Sequence, residues 1–150
     1  RFEGRCWSSP AVGVLPHPAR SIPIWLGGHG PAALRRAGEL ADGWIPFGRT
    51  PDELRAELRT VREAAERAGR DPAGIRCGLW APMWLADPQG TPYGYLHGLA
   101  PELVDKLGEY SDAGLDHLVM FILAPPDGMS DQLAALAENV LPAAAKMRSA

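Results

Sequence analysis

Gly27-Gly28-His29-Gly30, followed at once by Pro31-Ala32-Ala33-Leu34, is the stretch of this chain best suited to chemistry. The apolar run Ile22–Leu26 leads into it, and a helix is expected from Pro31, because proline fits the first helical position. The earliest amides of a helix have no preceding carbonyl to bond. The turn would therefore offer the N–H groups of Ala32 and Ala33, with Gly30 as cap, to an anion such as a phosphate. Gly27 and Gly28 allow close backbone approach, and His29 stands where it could reach a phosphate or a substrate carbonyl. Read alone, the string also fits a plain tight turn.

A second stretch of the same kind follows. Phe47-Gly48-Arg49 leaves one expected strand and enters a helix at Thr50-Pro51-Asp52-Glu53. Thr50 can cap that helix, Pro51 suits its first position, and Glu53 completes a capping box. More N–H donors and the Arg49 guanidinium would then join the first turn, although Arg49 also fits an ordinary surface position. Trp25, Trp44, Trp80 and Trp84 lie in or near three successive strands, where flat side chains can wall an aromatic ring, with core packing the commoner role. His17, His97 and His117 have no partners at metal-ligand spacing. No serine elbow, phosphate-loop lysine or paired-histidine motif is present, so no catalytic acid or base is identified and no metal is expected.

The elements that must position these turns are legible in the pattern. Residues 1–21 are rich in proline and aperiodic, and are expected to form an extended arm. Residues 22–150 divide into four strand-then-helix units: 22–26 with 31–40, 43–46 with 51–68, 75–85 with 101–113, and 117–123 with 130–147. Alternation of this kind implies parallel strands with right-handed crossovers, an α/β fold. Leu54, Leu58, Val61, Ala65 and Ala68 recur at helical spacing, opposite a solvated face of Asp52, Arg55, Arg59, Arg62, Glu63 and Arg67. Ala37-Gly38, Ala68-Gly69 and Ala113-Gly114 each sit near a helix end, where glycine accepts a left-handed conformation. The nearly continuous apolar run His117–Leu123 is expected to be covered on both faces. The loop 86–99, with Tyr93, Tyr95 and His97, is long enough to be a lid or binding segment. In a parallel sheet or barrel, ligands sit at the carboxyl ends of the strands, where 27–31, 47–50, 81–84 and 124–127 would share one rim.

Composition limits the function classes. With 150 residues, 46% of them hydrophobic, the chain can bury one core. Its formal charge of −3 comes from interspersed acids and bases, so neither a nucleic-acid partner nor a membrane surface is expected. Two distant cysteines, Cys6 and Cys77, suggest no disulfide framework and a reduced, cytoplasmic setting. No run approaches the roughly 20 apolar residues of a membrane span. Arg1 in place of a starting methionine suggests a chain cut from something longer.

Taken together, Pro23-Ile24-Trp25-Leu26-Gly27-Gly28, Pro31–Ala37, Ala41-Asp42-Gly43-Trp44-Ile45-Pro46, Ala68-Gly69-Arg70-Asp71-Pro72, Ala113–Leu118 and Leu141-Pro142 resemble the luciferase-like monooxygenases. That resemblance spans nearly the whole chain and implies the C-terminal half of a (β/α)8 TIM-type barrel, four of eight units preceded by the tail of the linking arm. It also implies a flavin- or deazaflavin-dependent oxidoreductase acting on a small organic molecule, with the deazaflavin coenzyme F420 expected first and FMN, as in an FMN-dependent monooxygenase, second. The cofactor phosphate would be held by Gly28, His29, Gly30, Pro31 and Ala32 and by Phe47, Gly48 and Arg49. Several deazaflavin members carry their substrate and proton-transfer residues in the first half of the barrel, so hydride transfer by these 150 residues alone is not expected. The competing reading is a non-catalytic half-barrel. An open sheet edge further suggests pairing, with a second copy or with a missing N-terminal half-barrel.

Overall fold

The computed structural model of the protein describes residues 1–13, 15–85, 96–123 and 126–147. The arm is exposed and forms a small antiparallel pair, β1 (Phe2–Glu3) and β2 (Ser8–Ser9). The four expected units follow. β3 (Trp25–Leu26) leads to α1 (Pro31–Leu40), and β4 (Gly43–Trp44) to α2 (Pro51–Arg67). The long β5 (Arg76–Trp84) is followed by α3 (Ala100–Asp112). β7 (His117–Ile122) is followed by α4 (Met129–Ala135), a π-type turn over Leu136–Val140, and α5 (Leu141–Met147). A two-residue strand, β6 (Leu96–His97), stands where only loop was expected and pairs with the end of β5.

All pairings in the main sheet are parallel. β4 lies between β3 and β5, and β7 runs along the opposite flank of β5, with Gly78 to Met83 in register with His117 to Ile122. Past Trp44 the β4 chain rejoins β5 through a parallel bridge, Phe47 to Trp80. Parallel strands alternating with helices through four units make this the expected α/β fold, an arrangement matching half of a TIM-type barrel.

Local chemistry explains where the helices begin and end. At α2 the Glu53 amide donates to Thr50 Oγ1 (3.3 Å) while the Thr50 amide donates to Glu53 Oε2 (3.0 Å), the reciprocal capping box. Gly69 (φ +73°) and Gly114 (φ +99°) end α2 and α3 in the left-handed region. Gly38 does not behave this way. It lies inside α1, where an added Cβ would stand 2.3 Å from the Val61 carbonyl oxygen and 2.8 Å from the Ala65 nitrogen, so its role is to let α1 press against α2. Arg70 closes the end of α1, donating to the carbonyls of Gly38 (2.5 Å) and Ala41 (2.7 Å).

Helices cover one face of the sheet only. Leu34, Trp44, Leu54, Leu58, Val61, Cys77, Leu79, Leu103, Leu107 and Val140 belong to a single buried core on that side. On the other face, Trp80 is 48% exposed between buried neighbours of β5, and Val119 (47%) and Phe121 (56%) alternate along β7 with half-buried ones. The expectation that β7 is covered on both faces is therefore corrected. Four units supply one wall of a barrel, and among the described residues no helix packs against its inner surface.

Candidate functional site

The glycine turn is held from below and open above. Trp44, fully buried, donates its indole N–H to the Gly28 carbonyl (2.9 Å) and so fixes the turn to the core. Gly28 has φ +102°, and a Cβ there would stand 2.9 Å from that of Ala33. At Gly27 a Cβ would stand 3.2 Å from the Ile45 carbonyl oxygen. Gly30 caps α1 in extended conformation, and a Cβ on it would meet nothing within 4 Å. Its carbonyl accepts from Ala33 (2.8 Å) and Leu34 (3.0 Å). The Ala33 amide is therefore spent inside the helix start, contrary to expectation. The amides of Gly28, His29, Gly30 and Ala32 find no acceptor among the described residues. Gly30, Pro31 and Ala32 are exposed and His29 is half-buried, which suits these donors to an oxyanion.

The second turn contributes differently from what its glycine suggested. Gly48, at φ +54°, donates to the Trp80 carbonyl (3.0 Å), so its amide ties the turn to β5 and is not offered to a ligand. The contribution comes from Arg49. Tyr110 on α3 donates its hydroxyl to the Arg49 carbonyl (2.6 Å). The Arg49 Nε donates to His29 Nδ1 (3.0 Å) and lies 3.3 Å from Glu57 Oε2, while a terminal nitrogen lies 3.6 Å from Glu53 Oε2. His29 Nδ1 is 3.9 Å from the same Glu57 oxygen. An imidazole accepting at Nδ1 is neutral and carries its proton on Nε2. The two rim turns are thus joined side chain to side chain, and Arg49, only 21% exposed, is not an ordinary surface residue.

Both acids on α2 are tuned by this setting. Burial pushes the Glu57 carboxyl up from its ordinary range, against the pull of Arg49 and then His29. The Thr50 backbone N–H holds the Glu53 carboxyl below its ordinary range, with Arg49 assisting. Glu57 Oε2 is buried and accepts no hydrogen bond. Glu57 and Tyr110 were not singled out from sequence, Glu53 was read only as a capping residue and Trp44 only as a ring wall or core residue; the acids' spacing of four and eight residues after Arg49 was the available signal.

Of the four tryptophans in or near the strands, Trp44 is core. Trp25 lies across Gly43 and Gly78, whose missing side chains make room for its ring, with an edge-on contact to His117 at 5.3 Å. Trp80 and Phe47 meet edge to face at 5.4 Å on the open surface beside the rim. Trp84 is half-buried at the end of β5, and His97 is half-buried in β6. His17 is exposed in the arm. Tyr93, Tyr95 and the rest of 86–95 lie outside the described residues, as do Ala124 and Pro125 of the fourth rim loop. Among the described residues no polar or charged side chain is fully buried and no cluster could hold a metal ion.

Two aspartates of the matching motifs are architectural. Asp42 accepts from the Ile24 amide (2.8 Å) and Asp116 from the Cys77 amide (2.8 Å), so each aspartate fastens the start of the neighbouring strand.

With this geometry established, the comparisons decide the family. Residues 1–91 match the family model described as luciferase-like monooxygenase. The chain belongs to that family. An uncharacterised protein of Mycobacterium tuberculosis is 44% identical over 69 residues, covering 46% of this chain and 24% of that protein. The F420-dependent glucose-6-phosphate dehydrogenase of Nakamurella multipartita is 37% identical over 71 residues, covering 46% and 21%. Among solved structures, an F420-dependent secondary alcohol dehydrogenase bound to an F420–acetone adduct superimposes with a TM-score of 0.72 at 17% identity, covering 85% of this chain and 50% of its own. A riboflavin lyase with modified FMN gives 0.72 at 13%, covering 99% and 48%. The chain spans about half the length of these luciferase-like structures.

Proposed function

We propose that this chain is the cofactor-phosphate-binding half of a luciferase-like oxidoreductase that uses a deazaflavin or flavin to act on a small organic molecule. The observation that carries the reading is the convergence of the free amides of Gly28, His29, Gly30 and Ala32 with the Arg49 guanidinium, joined through His29. A phosphate seated there would meet backbone donors, the positive end of α1 and one cation. The bound cofactor supplies the redox chemistry. The residues of this chain hold its anionic tail and, through Trp80 and Phe47, offer a wall to its ring.

The deazaflavin coenzyme F420 is the first choice, supported by the similarity to the F420-dependent dehydrogenase of Nakamurella, and FMN is the second. Turnover is proposed to need the complementary half-barrel, either an N-terminal half or a second copy, seated on the bare face of Trp80, Val119 and Phe121. Cytoplasmic residence is proposed as well; among the described residues no helix is long and apolar enough to cross a membrane. Fluorescence titration with F420 and with FMN, on this chain and on the chain joined to a complementary half, tests the reading. Saturable binding of one of them is expected. No binding of either, with the barrel completed, overturns it.

A further inference from the structure

The anion site has an unusual charge balance. One guanidinium, Arg49, stands against two carboxylates, Glu53 and Glu57, with the His29 imidazole accepting from Arg49 between the two turns. No other cation lies within ion-pair distance of either acid among the described residues, except His29 if protonated. Neither acid can readily leave. Glu53 is tied to Thr50 by the capping box, and Glu57 is half-buried on α2 with its Oε2 against Arg49. An anion joining Arg49 therefore keeps both carboxylates as neighbours, and each extra charge it carries is repelled.

The two candidate cofactors differ on this point. The deazaflavin coenzyme joins its ribityl chain to its tail through a phosphodiester, which carries one negative charge. FMN ends in a phosphomonoester, which approaches two at neutral pH. From this juxtaposition we infer that Glu57 and Glu53 are specificity-determining residues, biasing the site towards a singly charged phosphodiester and against a doubly charged phosphomonoester. The inference rests on the proposed function, since it concerns the same phosphate seat, and it assigns the choice between the two cofactors to residues outside the glycine turn.

The test is a double comparison at pH 8, where the monoester is fully charged. The Kd values of F420 and FMN are measured by fluorescence for the wild-type chain joined to its complementary half, for Glu57→Gln and for Glu53→Gln. Glutamine at position 53 retains the capping-box geometry, so this variant stands even if Glu57→Gln folds poorly. Comparing the ratio of the two Kd values in each variant with the ratio in the wild type cancels the difference between the two rings. Removing either carboxylate is expected to shift the ratio towards FMN by about five- to tenfold, more for Glu57 than for Glu53. An unchanged ratio in both variants, or equal tightening of both cofactors, overturns the inference while leaving the phosphate seat standing. Failure of the wild type to bind either cofactor removes the seat itself and this inference with it.

Discussion

Gly30→Asp separates binding from folding. Position 30 has extended backbone (φ −67°, ψ 153°) and open space around its would-be Cβ, so aspartate fits without displacement. It is also a preferred helix cap, worth a few tenths of a kcal/mol over glycine. Stability should therefore hold or rise. Binding should move the other way, because the new carboxylate would take the amides of the α1 start and sit beside the phosphate. Two unit charges about 4 Å apart repel by about 1 kcal/mol in bulk water and about 4 kcal/mol near a protein surface. Affinity should fall roughly fivefold to several-hundredfold, with the lower end at high salt. The control is Arg67→Ala, at the far end of the 17-residue α2, about 25 Å from Arg49 by helical rise and beyond the Debye length of about 8 Å. Fluorescence titration and thermal unfolding of both variants give the two readouts. A Gly30→Asp protein that melts as the wild type does and binds with wild-type affinity would refute the reasoning.

Further outcomes follow from the same contacts. Gly38→Ala gains about 1 kcal/mol of helix propensity but drives a methyl into the backbone of α2, so a net loss of roughly 1–3 kcal/mol is expected by chemical denaturation; a gain would mean that α1 and α2 do not cross closely there. Burial, with Asp116 adding to it, pushes the Cys77 thiol up to about 12, whereas Cys6 is exposed; mass spectrometry after alkylation at pH 8 should find Cys6 modified and Cys77 spared until the protein unfolds. Because the folded-state Glu53 carboxyl is held below its ordinary value, its stabilisation is present above pH ~4.5 and lost as pH falls through the folded value. Glu53→Ala should therefore lower Tm at pH 7 and matter progressively less as the pH falls below the ordinary carboxylate range; an effect that stays constant throughout acid titration would exclude the charged capping box.

What was legible in the sequence was local. Thr50-Pro51-Asp52-Glu53 announces its helix because every partner lies within three residues, and Gly30-Pro31 does the same for α1. Gly38 misled because Ala-Gly reads identically at three helices. Only the approach of Val61 and Ala65, more than twenty residues away, makes it a crossing point and not a cap. The free amide expected at Ala33 and the donor expected at Gly48 were lost to carbonyls chosen by the tertiary path of the chain. Glu57 was hidden for the same reason: its partners Arg49 and His29 come from two turns that meet only when β3 and β4 lie side by side. The bare face of Trp80, Val119 and Phe121 reads as core in sequence because it is the inner wall of a barrel with four units in hand.

The most direct measurement is a crystal structure of the chain joined to its complementary half and bound to F420 or FMN. The phosphate should lie within hydrogen-bond distance of amides from Gly28, His29, Gly30 or Ala32 and of the Arg49 guanidinium. A phosphate held at another rim loop, with those amides facing solvent, would contradict the assignment.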